Sequence, residues 1–343
     1  MAITKPRILL IYTGGTIGMI KDFETGALRN FNFKDLLMHI PELKLLDCEI
    51  STTSFSRPID SSNMNVKYWV DITTIIEDAY ESFDGFVLLH GSDTMSYTSS
   101  ALSFMLENLK KPVVFTGSQL PIGDLRTDAK ENLITSIQIA ALQENGRPKI
   151  AEVCLYFEYK LYRANRTTKI NAEHFEAFAS LNYPALVESG VHLKINNEVL
   201  SVPNRRKKFR VHKEMESRIV LVKMFPGMDE TVVNYLFSYP EIKGLVLETY
   251  GSGNVTNEAW FLEALKRIIN KGIPVVNVTQ CSGGSVDMAQ YETGVGLKKL
   301  GVISGKDITT EAALTKLMYL LGQKIPANNF KNTFETSLRG EMI

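Results

Sequence analysis

The chain has 343 residues, a length that suits two domains at roughly 150 residues each. Hydrophobic residues make up 44% and charged residues 22%, which is typical of a globular protein and argues against a disordered chain. Lys plus Arg and Asp plus Glu are both 38, so the formal net charge is zero. This balance argues against a protein whose main task is to bind nucleic acid.

Short apolar runs recur along the chain and predict strands that are buried on both faces, as in a parallel sheet. These runs are Ile8–Tyr12, Phe86–Leu89, Val113–Thr116, Val153–Phe157, Ile219–Phe225, Leu245–Leu247 and Val275–Val278. Helical spacing of apolar residues predicts helices near 65–82, 95–109, 128–142, 257–270 and 310–322. The alternation of strands and helices predicts an α/β fold.

The alternation stops in a polar segment at 194–217 and restarts at Ile219. This segment contains Pro203 and the basic run Asn204–Arg210. We therefore predict a larger N-terminal catalytic α/β domain over 1–195, with a mainly parallel sheet flanked by helices. A linker over 196–217 and a smaller C-terminal α/β domain over 218–343 follow. We interpret the basic run as a solvated linker or hairpin rather than a patch for nucleic acid or membrane.

The cellular compartment of the protein is predicted from its apolar stretches, its first residues and its cysteines. No apolar stretch approaches the ~20 residues that cross a bilayer, and the first residues lead into the first predicted strand without a signal peptide. The three cysteines, Cys48, Cys154 and Cys281, are few and far apart. We expect reduced thiols and a cytoplasmic protein without a membrane partner.

The first motif is Thr13–Gly18, with the sequence TGGTIG, directly after the first predicted strand. Ligands in open α/β sheets bind beyond the carboxyl ends of the strands. A dinucleotide-binding fingerprint requires glycine where Thr16 stands, so that pattern does not match. Two glycines before Thr16 would leave its hydroxyl uncovered beside backbone N–H groups, as acyl transfer requires. A tight turn without chemistry is the alternative.

The second motif is His90–Met95, with the sequence HGSDTM, before the predicted helix at 95–109. By themselves Ser92, Asp93 and Thr94 form an ordinary helix-capping cluster. As a site, Asp93 would bind a substrate ammonium and Ser92 would supply a second hydroxyl. The segments Asp60–Ser62 and Gly117–Gln119 predict turns more strongly than sites.

A third segment, Arg163–Lys169, is polar and ends in a lysine. Partial burial beside hydroxyls lowers the pKa of a lysine amine, which then acts as a base towards serine or threonine. The histidines and cysteines have no metal-binding spacing, and we expect His90 to be structural. We therefore expect neither a metal nor a Ser-His-Asp triad.

Together these segments resemble the bacterial-type L-asparaginases, specifically their cytosolic type I branch. The resemblance implies two α/β domains and hydrolysis of L-asparagine to L-aspartate and ammonia without a cofactor. The matching segments follow one another over nearly the whole chain and are Tyr12–Met19, Asp60–Ser62, His90–Met95, Thr116–Pro121, Leu161–Lys169, Tyr250–Asn254 and Thr279–Cys281.

The resemblance also implies roles for individual residues. Thr16 corresponds to the nucleophile that forms a β-acyl-enzyme. Ser92, Asp93 and Lys169 correspond to the group that activates this nucleophile or the attacking water. The α-amino and α-carboxylate groups of the substrate would be bound by Asp60, Ser61 and Asp93. Asn254 resembles a residue that reaches the active site of a neighbouring subunit, which implies a homodimer or homotetramer.

The chain departs from the family pattern at three positions. Ser92 stands where the second hydroxyl is usually a threonine. The segment at 20–28 lacks the family's loop tyrosine, and Ala27 occupies its place. In some type I enzymes an arginine binds the carboxylate of an allosteric asparagine, with help from a cysteine and a threonine. Here Cys281 and Thr168 match these two, but Glu248 replaces the arginine, which predicts a loss of this regulation.

Other functions remain open at this point. A glutaminase-asparaginase of broad specificity would use the same residues, because one methylene changes discrimination by only ~10–200-fold. A catalytically weak amino-acid-binding sensor is compatible with the missing tyrosine. A nucleotide-binding oxidoreductase is disfavoured because the dinucleotide fingerprint fails.

Overall fold

The computed structural model describes residues 5–21, 28–30, 40–289 and 292–343. The chain forms two compact units, Met1–Lys213 and Glu214–Ile343. Each unit combines a sheet rich in parallel strands with helices, and the first unit is larger. The predicted α/β fold class is therefore confirmed, whereas the predicted bounds of the linker and of the two domains stay a prediction.

The first unit contains the strands β1 to β16 and three α-helices within the described residues. The strands are β1 (Arg7–Gly14), β2 (Met19–Lys21), β3 (Leu28–Asn30), β4 (Glu49–Ile59), β5 (Gly85–Leu89), β6 (Leu106–Glu107), β7 (Val113–Thr116), β8 (Gln143–Glu144), β9 (Arg147–Pro148), β10 (Val153–Phe157), β11 (Lys160–Arg163), β12 (Thr168–Lys169), β13 (Phe178–Ala179), β14 (Val187–Ser189), β15 (Leu193–Ile195) and β16 (Arg210–Val211). The helices are α1 (Val66–Ala79), α2 (Met95–Met105) and α3 (Ala129–Ala140).

The main sheet of this unit has eight strands in the order β15-β14-β11-β10-β7-β5-β1-β4. The five strands from β10 to β4 are parallel, and β11, β14 and β15 continue the sheet in antiparallel pairs. Tyr12 pairs with Leu89, and Leu89 pairs with Thr116. The segments that follow β1, β5 and β7 therefore leave the sheet side by side at its carboxyl edge.

Strand β4 was not predicted from the sequence. It lies at the edge of the sheet, and its eleven residues are exposed or only partly buried. An edge strand of this kind carries serine, threonine and arginine rather than the continuous apolar run of a buried strand. The apolar-run criterion therefore could not detect it.

The predicted helix at 95–109 is too long at its carboxyl end. Helix α2 ends at Met105, and Leu106 and Glu107 form strand β6 instead. This strand pairs with Arg210 and Val211 of β16, and Asn108 then adopts a left-handed φ of 58°. A pairing with residues a hundred positions away therefore overrides the local helical pattern.

The basic run at 204–210 contains one aromatic residue, Phe209. Its ring stacks on Tyr80, with the ring centroids 3.8 Å apart and an interplanar angle of 10°. Lys110 Nζ also donates to the backbone oxygen of Arg205 at 3.1 Å. These contacts attach part of the predicted linker to the first unit.

The second unit contains a four-stranded parallel sheet whose strands lie side by side in chain order. Helices at Ala259–Asn270 and Thr310–Gly322 match the predictions at 257–270 and 310–322. Three further helices of nine residues each were not predicted. The strands are β17 (Ile219–Lys223), β18 (Gly244–Thr249), β19 (Val275–Thr279) and β20 (Ile303–Ser304). The helices are α4 (Glu230–Ser238), α5 (Ala259–Asn270), α6 (Glu292–Leu300), α7 (Thr310–Gly322) and α8 (Ala327–Glu335).

The last residues of the chain are attached to α7 by a buried ion pair. Lys316 and Glu341 are both fully buried, and the Lys316 ammonium donates to the Glu341 carboxylate. The same ammonium donates to the backbone oxygens of Phe334 at 2.6 Å and Thr336 at 2.8 Å. The Glu341 carboxylate in turn accepts from the backbone N–H of Arg339 at 2.7 Å. The hydrogen bonds thus satisfy both charges inside the unit.

None of the described helices combines the length and the apolar character that a bilayer-crossing helix needs.

The buried pair predicts a large effect of Glu341→Gln on stability. This variant leaves the Lys316 ammonium buried without its counter-charge, and the loss of one partner of a buried pair costs about 3–5 kcal/mol. Glu241→Gln is the matched control, because its ion pair with Arg218 lies at the surface with 58% and 46% of the side chains exposed. The control should cost less than about 1 kcal/mol in urea denaturation. Equal losses in the two variants would contradict a special role for the buried pair.

Candidate active site

The candidate site lies at the carboxyl edge of the main sheet, where three turns meet. Gly15 has a φ of 92° and a ψ of 169°. A Cβ atom at Gly15 would lie 2.5 Å from the backbone nitrogen and 2.6 Å from the Cα of Gly91. A Cβ atom at Gly91 would in turn lie 2.5 Å from the Ser61 hydroxyl oxygen. The turns that carry Thr16, Ser92 and Ser61 are therefore in direct contact.

Thr16 opens a short 3-10 turn that ends at Gly18. The turn follows β1 directly, and its base is fastened by Thr13, whose hydroxyl donates to the backbone oxygen of Leu89 at 3.0 Å. Ile17 and Gly18 are buried, whereas Thr16 is only partly buried. The Thr16 side chain therefore lies at the surface of the site, and the strand end that carries its turn is bonded to β5 through Thr13.

Ser92, Asp93 and Lys169 form one hydrogen-bonded cluster. The Lys169 Nζ atom is 2.9 Å from the Ser92 hydroxyl oxygen and 2.7 Å from the Asp93 carboxylate. The Lys169 side chain is 17% exposed, while the Asp93 side chain is 67% exposed. The carboxylate can therefore hold the lysine on one side and still be reached by a ligand on the other.

The interpretation of Ser92, Asp93 and Thr94 as a helix cap is wrong. These residues form a 3-10 turn before α2, and neither this turn nor the helix has a side-chain cap. The Thr94 hydroxyl donates instead to the backbone oxygen of Ser61 at 2.8 Å. The Ser92 and Thr94 hydroxyls thus bond to neighbouring turns and not to the N–H groups at the start of the helix.

Lys169 is positioned by the segment that precedes it. The Thr167 hydroxyl donates to the Ser96 hydroxyl at 3.1 Å, and the Asn165 amide donates to the Ser103 hydroxyl at 3.1 Å. Both serines are buried on α2. Lys169 itself lies on β12 and pairs with Phe178 of β13. The helix that follows the Ser92 turn thus also anchors the segment that carries the lysine.

Asp60 and Ser61 lie in the third turn. The Asp60 carboxylate accepts from the backbone N–H of Ser62 at 2.9 Å and from the Ser62 hydroxyl at 2.8 Å. Both bonds lower the pKa of Asp60 below its ordinary value, and the bond from the Ser62 backbone N–H contributes most. Asp60 is exposed and Ser61 is buried. The expectation of a turn at 60–62 is correct, and the turn still presents an ionised carboxylate.

His90 is completely buried at the end of β5. Burial lowers its pKa to about 4, so the ring is neutral at pH 7. Its Nδ1 atom is 2.7 Å from the backbone oxygen of Gly91, to which it donates as the neutral ring. The ring also packs edge-on against Phe115, with the centroids 5.9 Å apart. His90 therefore supports the Gly91 turn and is not exposed to a ligand, as a structural histidine should be.

Gln119 bonds to Ser92, although the sequence analysis gave it no role: by itself 117–119 indicated a turn, and Thr116–Pro121 was only one of the segments that match the asparaginases. The Ser92 hydroxyl donates to the Gln119 side-chain oxygen at 3.1 Å. The available signal was its position after β7, which ends beside β5 at the carboxyl edge.

Among the described residues, no group of three or more histidine, cysteine, aspartate or glutamate side chains could hold a metal ion.

Comparisons with known proteins identify the family. Residues 7–201 match the sequence model of the N-terminal asparaginase domain, and residues 218–334 match that of the glutaminase/asparaginase C-terminal domain. The chain belongs to the asparaginase family. It is 42% identical to L-asparaginase 1 of Escherichia coli K12 over 339 residues, which cover 98% of each chain.

Two further asparaginase-family relatives extend this comparison. The crystal structure of L-asparaginase I from Vibrio cholerae superposes with a TM-score of 0.89 at 38% identity, covering 99% of this chain and 100% of the other. The mouse protein named 60 kDa lysophospholipase is 39% identical over 98% of this chain and 62% of its own length. The recognition of an asparaginase and its two-domain fold is confirmed.

The asparaginase resemblance also singled out Asn254 and Ala27. Asn254 belongs to the second unit, in the turn after β18 where Tyr250 and Asn254 form an isolated antiparallel bridge. Ala27, in the segment that lacks the loop tyrosine, lies outside the described residues.

The contact between Gly15 and Gly91 predicts that Gly15→Ala is strongly destabilising. Gly301→Ala is the matched control, because Gly301 has the same φ of 92° but nothing within 4 Å of an added Cβ. The control should lower the free energy of unfolding by about 1–2 kcal/mol, the cost of a left-handed alanine. Gly15→Ala should lower it by about 3 kcal/mol or more, because steric overlap is added to the strain. Equal losses in urea denaturation would show that the backbone contact is unimportant.

Proposed function

We propose that this protein is an amidohydrolase that converts L-asparagine to L-aspartate and ammonia through an acyl-enzyme on Thr16. The observation that carries the proposal is the contact of Lys169 with Ser92 and Asp93, on the turn that touches the Thr16 turn. The relatives named L-asparaginase at 42% and 38% identity support asparagine as the substrate. No cofactor enters this reaction.

In the first half of the reaction the Thr16 hydroxyl oxygen attacks the side-chain amide carbon of asparagine. The carbon–nitrogen bond then breaks, and the nitrogen leaves as ammonia with the proton that the hydroxyl gave up. This step leaves a β-aspartyl ester on Thr16. In the second half water attacks the ester carbon, releases L-aspartate and returns a proton to the Thr16 oxygen. Each half requires one proton to be taken from an attacking oxygen and given to a leaving atom.

We assign this proton transfer to Ser92 and Lys169. The lysine amine is within hydrogen-bonding distance of the Ser92 hydroxyl, so a proton can pass between them without a large movement. The Asp93 carboxylate fixes the position of the amine from the other side. Because Ala27 replaces the loop tyrosine of the family, this pair is also our candidate for the activation of Thr16.

The amino-acid end of the substrate would be bound by Asp60, Ser61 and Asp93. Asp60 remains ionised because its pKa is lowered, and Asp93 is largely exposed, so both can accept from an α-ammonium group. Substrate binding close to Gly91 would bring the ligand next to the contacting Thr16 turn.

We also propose a homodimer or homotetramer in the cytoplasm. The resemblance of Asn254 to a residue that completes a neighbouring subunit's site supports the oligomer. Reducing conditions suit the three free thiols Cys48, Cys154 and Cys281.

The proposed function predicts that Thr16→Ala abolishes most ammonia release from asparagine but leaves the fold intact. The hydroxyl is the group that forms the ester, and the turn geometry depends on Gly15 rather than on Thr16. Coupled measurement of ammonia from asparagine and from glutamine, with circular dichroism as the folding control, tests this. Near-normal turnover by the variant would remove Thr16 as the nucleophile.

A wild-type protein that releases ammonia faster from glutamine than from asparagine would favour the glutaminase alternative. A wild-type protein that releases no ammonia from either substrate would favour a sensor.

Lys169→Met should lower kcat by about 10²–10⁴, the usual contribution of a general acid–base group. Methionine has a similar length but cannot exchange a proton with the Ser92 hydroxyl. Steady-state kinetics on asparagine separate the two possible roles of the lysine. A variant that changes KM and retains kcat would show that the lysine binds the substrate and transfers no proton.

Glu248 predicts a rate that depends hyperbolically on asparagine, with a Hill coefficient near one. Its carboxylate accepts from the Thr310 hydroxyl at 2.6 Å and lies 3.6 Å from Lys223 Nζ, so it is held within the second unit. Replacing a cation by an anion removes at least about 1.5–3 kcal/mol of binding to a carboxylate. This loss matches the whole coupling energy of typical allostery, about 1–3 kcal/mol. A sigmoidal curve that Glu248→Ala makes hyperbolic would contradict the prediction.

A further inference from the structure

We infer that Gln119 is a positioning residue that fixes the Ser92 hydroxyl relative to Lys169. The inference rests on the proposed function, because it concerns the proton transfer between these two groups. Gln119 follows β7 and bonds to both sides of the pair: to Ser92 itself, and to the hairpin that carries Lys169.

The Gln119 side chain makes three hydrogen bonds. Its oxygen accepts from the Ser92 hydroxyl at 3.1 Å. Its amide nitrogen donates to the backbone oxygens of Ala172 at 3.2 Å and His174 at 3.0 Å. Both carbonyls lie in the loop that connects β12, with Lys169, to β13. A single side chain thus links the Ser92 turn to the lysine hairpin.

These bonds determine the orientation of the amide. A flipped amide would turn its oxygen towards two carbonyl oxygens, which offer no proton, and would lose both bonds to the hairpin. The oxygen must therefore point to Ser92, and the Ser92 hydroxyl must donate to it. This leaves the lone pairs of the Ser92 oxygen for Lys169 Nζ, which lies 2.9 Å away. Gln119 thereby fixes the Ser92 oxygen next to Nζ. The proton passes from Ser92 to a neutral lysine amine once the hydroxyl hydrogen turns from Gln119 towards Nζ.

The backbone of Gln119 is itself held firmly. The Asp128 carboxylate accepts from the backbone N–H of Gln119 at 2.9 Å and from that of Leu120 at 3.1 Å. Asp128 immediately precedes helix α3 and is buried. Helix α3 also contributes Asn132, whose amide donates to the backbone oxygen of Gly117 at 3.1 Å. The side chain therefore projects from a segment bonded to the helix at several points.

Serine needs such a partner more than threonine does. Ser92 lacks the second heavy atom on Cβ that restricts χ1 in threonine, so its hydroxyl can occupy more rotamers. One rotamer faces both Gln119 and Lys169. Loss of the Gln119 bond should therefore release the Ser92 hydroxyl while leaving the substrate-binding residues Asp60 and Ser61 undisturbed. The expected signature is a lower kcat with little change in KM.

Two variants of Gln119 test the two sets of bonds. Gln119→Met removes all three and should lower kcat by about 10–100-fold, the scale of a displacement of about 1 Å at a reacting group. Gln119→Glu retains an acceptor for Ser92 but cannot donate to Ala172 and His174 while ionised, so it should lose activity as well. Gln143→Met on the exposed strand β8 is the control for the substitution itself. Wild-type kcat in Gln119→Met would overturn the inference, and wild-type kcat in Gln119→Glu would overturn the role of the hairpin bonds.

A double-mutant cycle with Ser92→Ala separates positioning from a general structural defect. If Gln119 acts through Ser92, Gln119→Met should have little further effect on kcat once the Ser92 hydroxyl is absent. Additive losses, or full activity of Ser92→Ala, would overturn the inference. Asparagine turnover by the wild-type protein is measured first. Its absence would refute the proposed function, whereas normal wild-type turnover with an insensitive Gln119 would refute only the positioning role.

Discussion

The close contact between the backbones of Gly15 and Gly91 is the constraint on which the site depends. The two glycines follow adjacent parallel strands, β1 and β5, whose paired ends bring both turns to the same edge of the sheet. An ordinary side chain at Gly15 would overlap the backbone of Gly91 and push the turns apart. Because Thr16 and Ser92 are the next residues along each turn, the absence of a Cβ atom at Gly15 lets the two hydroxyl-bearing turns meet, and its absence at Gly91 leaves room for Ser61.

The second requirement is a lysine delivered from a distant part of the chain. Lys169 reaches the Ser92 turn because the segment before it bonds to buried serines on α2 and the loop after it bonds to Gln119. The helix that follows the Ser92 turn therefore also anchors the lysine segment. In the proposed reaction these contacts would place Ser92 and Lys169 for proton transfer before a substrate arrives, so that little reorganisation is needed.

The sequence predicted those parts of the structure that rest on local patterns. The buried strands β1, β5, β7 and β10 have continuous apolar runs, and the glycines before Thr16 indicated an exposed hydroxyl at a strand end. The predicted end of α2 was wrong because Leu106 and Glu107 pair with Arg210 and Val211, far along the chain. A local pattern cannot contain such a pairing.

Other features escaped prediction because polar side chains have several possible partners. Ser92 and Thr94 had the composition of a helix cap, yet their partners are Lys169, Gln119 and Ser61 on other turns. Gln119 lies in the matching segment Thr116–Pro121, but this segment assigned it no role, and its proposed role follows from one hydroxyl and two carbonyl groups around its amide. The burial of Lys316 and Glu341 is likewise invisible in sequence, where both appear as surface charges.

In the proposed reaction Thr16, on the turn that contacts Gly91, is the nucleophile, and Ser92 and Lys169 transfer its proton. The most direct measurement is peptide mass spectrometry after the protein reacts with a diazoketone analogue of asparagine. The diazo carbon of such a reagent takes the place of the amide nitrogen. It accepts the hydroxyl proton, loses nitrogen gas and forms an ether with the attacking oxygen. We predict one stable ether adduct, on the peptide that contains Thr16. An adduct on Ser92 with Thr16 unmodified would contradict it.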